Sequence, residues 1–181
     1  MHAGWYAAGA AGVWLVVREV AHGAFPLEHG PVAAGFAHML CITVLGAWGV
    51  HRTGVHRRTF GVWESFRRAV RPALLYVVWG TVAAAAWTFV FRSEVRERVE
   101  AEKEAAVRAT FATEASFRTW CAATGAPAGL DRETVLNQQL EGMRALAHPG
   151  LFVGMHLLAL AWAAALVVGC LTAVWWFVLG G

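Results

Sequence analysis

The sequence predicts an all-α integral membrane protein: a four-helix membrane protein with an extracytoplasmic helical hairpin between the third and fourth spans. Hydrophobic residues make up 58% of the 181 residues and charged residues 15%, against about 45–50% and 25% in soluble domains. Long uncharged stretches alternate with short charged ones, and one longer charged segment precedes the last apolar stretch. This composition excludes intrinsic disorder, a disulfide scaffold and a typical soluble enzyme.

Four stretches are candidates to cross a bilayer, which requires about 20 mostly apolar residues in a helix. They are Ala3–Val17, Pro31–Val50, Pro72–Phe91 and Gly150–Leu179. The first is short and reaches full length only by including Arg18 and Glu19. Because no basic region precedes it, we expect a retained helix rather than a cleaved signal peptide. Pro72 is expected in the first turn of the third span, where its missing N–H costs nothing.

The arginine distribution predicts the orientation. Segment 51–71 carries six arginines and one acidic residue, whereas segment 92–148 carries eight basic and nine acidic residues. We therefore expect both termini and 51–71 in the cytoplasm and 93–149 outside it. The chain would divide into three transmembrane helices (1–92), the hairpin (93–149) and a fourth transmembrane helix (150–181).

The basic segment has helical periodicity of its own. Phe60, Trp63, Phe66 and Val70 recur at helical spacing, while Glu64 and the arginines occupy the other side. Such a helix can lie in the membrane interface with its arginines on anionic headgroups. It is either an ordinary juxtamembrane anchor or a docking or lipid-sensing helix.

The charged segment predicts two helices. Arg92–Ala122 contains no Pro or Gly and would continue the third span outward, with Glu104 and Arg108 as a favourable i,i+4 pair. The Gly- and Pro-containing run 125–129 then interrupts the helix. Asp131 is a good N-cap for a second helix, in which Leu136, Leu140, Met143 and Ala147 form an apolar stripe.

His38 and His156 are the candidate site residues, because ionisable residues inside membrane spans are functional candidates by default. Counted from Pro31 and Gly150, both lie about 10 Å below the same predicted surface. They could be the axial ligands of a haem b, a proton-relay pair, or a hydrogen-bonded contact between helices. His22, Glu28 and His29 flank a Gly/Pro turn, so we expect no metal site there.

Other chemistry has little support in the sequence. The three cysteines form no CxxC motif, and no nucleophile elbow, P-loop, HExxH or dinucleotide-binding motif occurs. No dense basic face with stacking aromatics indicates nucleic acid. The ten tryptophans suit interfacial belts, and Trp14, Trp87 and Trp162 are expected deeper in the spans. We expect no enzymatic activity and no cofactor, haem b excepted.

The order of these parts resembles a family of small bacterial four-span membrane proteins of unknown function. The resemblance is carried by the layout and by Gly61-Val62-Trp63-Glu64-Ser65-Phe66-Arg67-Arg68-Ala69, which leads into the third span. It implies a place in a bacterial inner membrane and no particular activity. The leading hypothesis is a non-enzymatic accessory or scaffold subunit that binds other membrane-protein subunits, or a second copy, in the lipid bilayer. The alternative is a small haem b electron carrier, and a weaker one is a solute channel or transporter.

Overall fold

The structure, a computed structural model, describes residues 2–24, 30–54, 61–127 and 129–179, and within them it is all-helical. The α-helices are α1 (His2–Ala24), α2 (Gly30–Gly54), α3 (Val62–Ala86), α4 (Ser93–Thr110), α5 (Glu114–Thr124), α6 (Arg132–Leu146) and α7 (Pro149–Val174). Short π-helical segments follow α3, at Trp87–Phe91, and α7, at Trp175–Leu179. The predicted all-α class is confirmed.

Three helical stretches are long and apolar enough to cross a membrane: Val32–Thr53, Val62–Phe91 and Pro149–Val178. They correspond to the second, third and fourth predicted spans. α1, which carries Arg18 and Glu19, is 23 residues long but is not among them. The chain thus has the helices of a multi-pass membrane protein, and a fourth span through α1 remains a proposal.

α3 begins ten residues before the predicted start of the third span. The helix runs from Val62, so Pro72 lies in its interior and not in its first turn. The amphipathic segment and the apolar span form one continuous helix. At the start of this helix the Ser65 N–H donates to the Gly61 carbonyl at 3.0 Å. The helix accommodates the buried Pro72, although the ring nitrogen of this residue cannot donate to the carbonyl four residues earlier. The predicted position of Pro72 is therefore wrong.

The chain forms two compact units. The spanning unit comprises Met1–Ala86 and Val153–Gly181, and the polar unit comprises Trp87–Phe152. In the spanning unit, α1, α2 and α3 pack against one another. Small residues permit the closest approaches: a Cβ at Gly49 would collide with the Ala69 carbonyl oxygen, and one at Gly46 would lie 2.8 Å from the Val168 Cγ2 atom. Small residues at helix crossings are typical of membrane bundles.

The polar unit contains three helices where the sequence predicted two. α4 ends at Thr110, and α5 begins after Thr113, whose hydroxyl accepts from the Ser116 N–H at 3.1 Å in a capping box. The third span does not continue into α4, because the backbone leaves the helical region at Arg92 (φ −135°, ψ 43°). The prediction of a single helix over 92–122 is therefore wrong, because the Thr113 cap starts a new helix and the first helix does not continue.

The later part of the polar unit follows the prediction more closely. α5 ends at Gly125, whose φ of 68° places it in the left-handed region that glycine favours. The Asp131 carboxylate caps α6 by accepting from the Thr134 N–H at 2.8 Å. The predicted Glu104–Arg108 ion pair is present at 2.7 Å, and Arg144 of α6 approaches the same carboxylate at 3.6 Å.

The core of the polar unit is small and largely aromatic. Phe111, Phe117 and Val135 are buried together, with Val107, Trp120, Cys121 and Leu136 packed around them. Leu136 belongs to the predicted stripe on α6, and Leu140 of the same stripe is buried. An apolar stripe of α6 that closes the unit is thus confirmed in part, with the aromatic side chains of the 111–120 region as its main partners.

The cap of α6 gives a pH-dependent prediction. Hydrogen bonds from the Thr134 hydroxyl and N–H lower the pKa of Asp131 in the folded chain. The cap therefore stabilises α6 fully above the unfolded pKa of about 3.9, and this contribution is lost as the pH falls through the lowered folded value. We expect the Thr134 amide resonance to shift over that acidic range. In Asp131→Asn, which still caps but does not titrate, the shift should disappear; an identical titration in both proteins would contradict the assignment.

Candidate functional site

The two histidines singled out from the sequence are in contact in the spanning unit. The Nε2 atom of His38 on α2 lies 3.2 Å from the Nε2 atom of His156 on α7. Their ring centroids are 5.0 Å apart, with the planes inclined by 66°. His38 is only 3% exposed, and His156 is half-buried. The predicted equal depth therefore corresponds to a direct contact between helices.

Tyr76 of α3 is the third member of the site. Its hydroxyl lies 2.7 Å from the Nδ1 atom of His38, and the side chain is fully buried. Tyr76 is not among the site residues predicted from the sequence. A signal was present, since the chain has only two tyrosines and a phenol inside an apolar span requires a hydrogen-bond partner. The His38 ring therefore has a partner at each nitrogen.

Trp14 of α1 covers one face of the His38 ring. The two rings are stacked with centroids 4.5 Å apart and an interplanar angle of 20°. The Trp14 indole N–H donates to the Ala34 carbonyl, at 3.0 Å, one turn before His38 on α2. Four helices thus contribute one side chain each to what we call the histidine cluster: Trp14, His38, Tyr76 and His156.

The three tryptophans expected deep in the spans differ in how much of each side chain the protein buries. Trp14 and Trp87 are buried in the protein, whereas Trp162 is 64% exposed, and the depth of all three in the membrane stays a prediction. Helix α7 is apolar on every side, and its pattern therefore did not indicate which face packs against the other helices.

Gly80 provides space for the cluster one turn after Tyr76. A Cβ atom at this position would lie 3.2 Å from the Tyr76 Cζ atom and 3.4 Å from the His38 Cε1 atom. Both rings are held by hydrogen bonds, so neither can move freely. We expect Gly80→Ala to weaken the Tyr76–His38 contact, and Gly154→Ala, where no atom lies within 4 Å, to leave it unchanged. Thermal unfolding in mild detergent measures this difference, and equal midpoints for the two variants would contradict it.

The proton arrangement of the cluster has two solutions. A neutral imidazole carries one N–H donor and one acceptor nitrogen, so the contact between the Nε2 atoms requires one ring to donate and the other to accept. If the His38 Nε2–H donates to His156, its Nδ1 atom accepts from the Tyr76 hydroxyl. If His156 donates instead, His38 donates from Nδ1 to the Tyr76 oxygen. The same three side chains thus support hydrogen-bond chains of either direction.

The arrangement does not fit a haem iron between the two rings. Metal–nitrogen bonds of about 2 Å on opposite faces of a macrocycle require nitrogens about 4 Å apart with the porphyrin plane between them. Here the two Nε2 atoms are in direct contact at 3.2 Å. Axial ligation would require the rings to separate.

A metal site has no support in the part of the chain that the structure describes. No group of three His, Cys, Asp or Glu side chains there could hold an ion. Glu28 and His29, which the sequence analysis considered with His22, lie outside the described residues. Cys41, Cys121 and Cys170 are free thiols.

The basic segment before the third span is helical where it is described. Glu64 accepts from Arg68 at 2.7 Å and from Arg67 at 3.3 Å. On the same turns, Trp63 stacks on Phe66, with centroids 5.5 Å apart. The predicted separation of apolar and charged residues is thus visible on α3, while Phe60 lies outside the described residues.

Comparisons with known proteins return no relative. No family model matches the chain, and neither a curated protein nor a solved structure matches it. The resemblance to small four-span bacterial proteins therefore stays a prediction.

Proposed function

We propose that this protein binds and relays a proton inside the membrane, through the His38–His156 pair and Tyr76. The observation that carries the proposal is the continuous hydrogen-bond chain from the Tyr76 hydroxyl through His38 to His156, at 2.7 and 3.2 Å. The proposal is a form of the solute channel or transporter alternative, with the proton as the solute. We place it in a bacterial inner membrane, with both termini and 51–71 in the cytoplasm and 93–149 outside.

The chemistry requires only the side chains of the cluster. A proton that reaches the half-buried His156 ring is shared between the two Nε2 atoms as N–H⁺···N, so that His38 can carry a proton at each nitrogen. This uptake starts from the arrangement in which the His156 Nε2–H donates to His38, so the Nδ1–H group of His38 already donates to Tyr76 and the Tyr76 oxygen stays an acceptor. Sharing the charge between two rings lowers the cost of holding it in apolar surroundings. On the proposed orientation, the pair lies about 10 Å below the extracytoplasmic surface.

Proton flux into liposomes tests this proposal. Protein reconstituted with a pH-sensitive dye inside the vesicles should acidify them under an imposed potassium-diffusion potential. We expect His38→Gln and His156→Gln to reduce the rate to that of empty vesicles, and Tyr76→Phe to reduce it about tenfold. His51→Gln, which changes an exposed imidazole at the end of α2, is the matched control. Wild-type flux no faster than that of empty vesicles would contradict the proposal.

A role as a non-enzymatic accessory subunit is the second candidate, and the surface of the polar unit favours it. None of the 18 residues of α4 is buried, and Leu146 at the end of α6 is 67% exposed. Such a surface suits contact with another membrane-protein subunit or with a second copy of this chain. Removing 93–148, which lie within one compact unit, should abolish co-purification of a partner, whereas His38→Gln should not. Unchanged partner recovery after the deletion would contradict this role.

The haem alternative is tested in the same preparations. A b-type haem held by His38 and His156 gives a Soret band that is lost in either alanine variant. Protein that is colourless after expression with a full supply of haem eliminates it.

A further inference from the structure

A second polar site lies at the other end of the spanning unit, about 15 residues along α2 from His38, or about 22 Å at 1.5 Å per residue. It is a cavity of about 10 Å³ between the end of α2, the start of α3 and the end of α7. Val50 and Thr53 line it from α2, Ser65 and Ala69 from α3, and Thr172 and Trp175 from α7 and the π-helical segment that follows. The cavity is thus distinct from the histidine cluster.

Three buried polar atoms of this cavity have no hydrogen-bond partner among the described residues: Ser65 Oγ, Thr172 Oγ1 and Trp175 Nε1. Ser65 and Thr172 are each only 4% exposed. Leaving a buried donor or acceptor unpaired costs as much as removing a good hydrogen bond. Three such atoms around one small cavity therefore indicate a ligand that pairs with them together.

The chemistry of the three groups defines that ligand. The indole N–H of Trp175 can only donate, whereas each hydroxyl can donate or accept. The ligand must accept at least one hydrogen bond and be no larger than one water molecule, because a volume of about 10–15 Å³ holds a single water. A buried water typically makes about three hydrogen bonds, which is the number of atoms to be satisfied.

We infer that Ser65, Thr172 and Trp175 bind one structural water that joins α3 to the end of α7. The water accepts from the Trp175 indole and from one hydroxyl, and it donates to the other hydroxyl. Trp175 is the first residue of the π-helical segment Trp175–Leu179. Such segments are often found at functional sites. The bound water thus fixes the point at which the geometry of the α7 helix changes.

Thr53 provides a matched control within the same cavity. Its hydroxyl donates to the Gly49 carbonyl at 2.8 Å, so it requires no water. Replacing it by valine keeps the shape of the side chain and removes a hydroxyl that is already satisfied.

A double-mutant cycle in mild detergent tests the shared water. Ser65→Ala and Thr172→Val should each lower the folding equilibrium constant about fivefold. Because loss of one hydroxyl already releases the water, the folding equilibrium constant of the double variant should also be lower by only about fivefold. It should not be lower by the product of the two single effects. In the control cycle, Ser65→Ala with Thr53→Val, the two effects should multiply to within about twofold. Multiplicative effects in the first cycle would overturn the inference.

Nuclear magnetic resonance provides a direct measurement of the bound water in the folded protein. With ¹⁵N-labelled tryptophan, the Trp175 indole N–H, assigned by its loss in Trp175→Phe, should show a cross-relaxation peak to a long-lived water in the wild-type protein. That peak should be absent from Ser65→Ala/Thr172→Val. Absence of the peak in the wild type, or its persistence in the double variant, would overturn the inference.

Discussion

His38→Ala is expected to lower the free energy of unfolding by about 3 kcal/mol. The substitution removes two hydrogen bonds, to Tyr76 at 2.7 Å and to His156 at 3.2 Å, and the ring on which Trp14 stacks. Hydrogen bonds in membrane bundles contribute about 0.6 kcal/mol on average, so most of the loss comes from the cavity and from the partners left unpaired. Unfolding in mixed micelles with increasing sodium dodecyl sulfate measures it.

The matched variant is His51→Ala on the same helix. His51 is exposed, so its replacement should change the free energy of unfolding by no more than about 0.5 kcal/mol. Equal losses for the two variants would mean that the cluster contributes nothing specific to the packing of the four helices.

Gly49→Ala is expected to cost about 3 kcal/mol, for a reason unrelated to the histidines. The added Cβ would collide with the Ala69 carbonyl oxygen and lie 3.1 Å from the Ala69 carbonyl carbon, both of which are backbone atoms of α3. A side chain could rotate away, but the backbone can move only if α2 and α3 separate. Thermal unfolding in detergent, monitored by circular dichroism, should show a lower midpoint.

Gly35→Ala on the same helix is the control for this prediction. No atom lies within 4 Å of the position that its Cβ would occupy. Because alanine is the better helix former, the variant should be unchanged or more stable by up to about 1 kcal/mol. A lower midpoint for Gly35→Ala than for Gly49→Ala would contradict the close approach of α2 and α3.

The depth of the histidines could be predicted from the sequence, but the partners around them could not. The helical rise is nearly constant, so counting from the ends of two spans placed His38 and His156 at one level. Predicting which face of a helix packs against its neighbours requires an amphipathic pattern. The helices α2 and α7 are apolar on nearly every side and lack such a pattern. For that reason the direct contact between the His38 and His156 rings could not be predicted from their equal depth.

The helix boundaries that were missed have local causes. The absence of Pro and Gly between 92 and 122 favoured one helix, but Thr113 and Ser116 cap each other and begin a new one. The sequence signal for this helix start is the Thr113–Ser116 pair, which forms a capping box. The common form of the capping box has a glutamate or glutamine at the position of Ser116. Pro72 was assigned to a first turn because that is its preferred place, whereas the amphipathic turn before it continues the same helix.

Because each of four helices supplies one member of the histidine cluster, the cluster is complete only after α7 has been synthesised. After the ribosome has released α1, α2 and α3, Trp14, His38 and Tyr76 can meet, but His38 still presents one ring nitrogen to lipid. Only the arrival of α7, after the whole polar unit has been synthesised, satisfies that nitrogen. A chain that ends before α7 is therefore expected to leave the His38 Nε2 atom without its His156 partner.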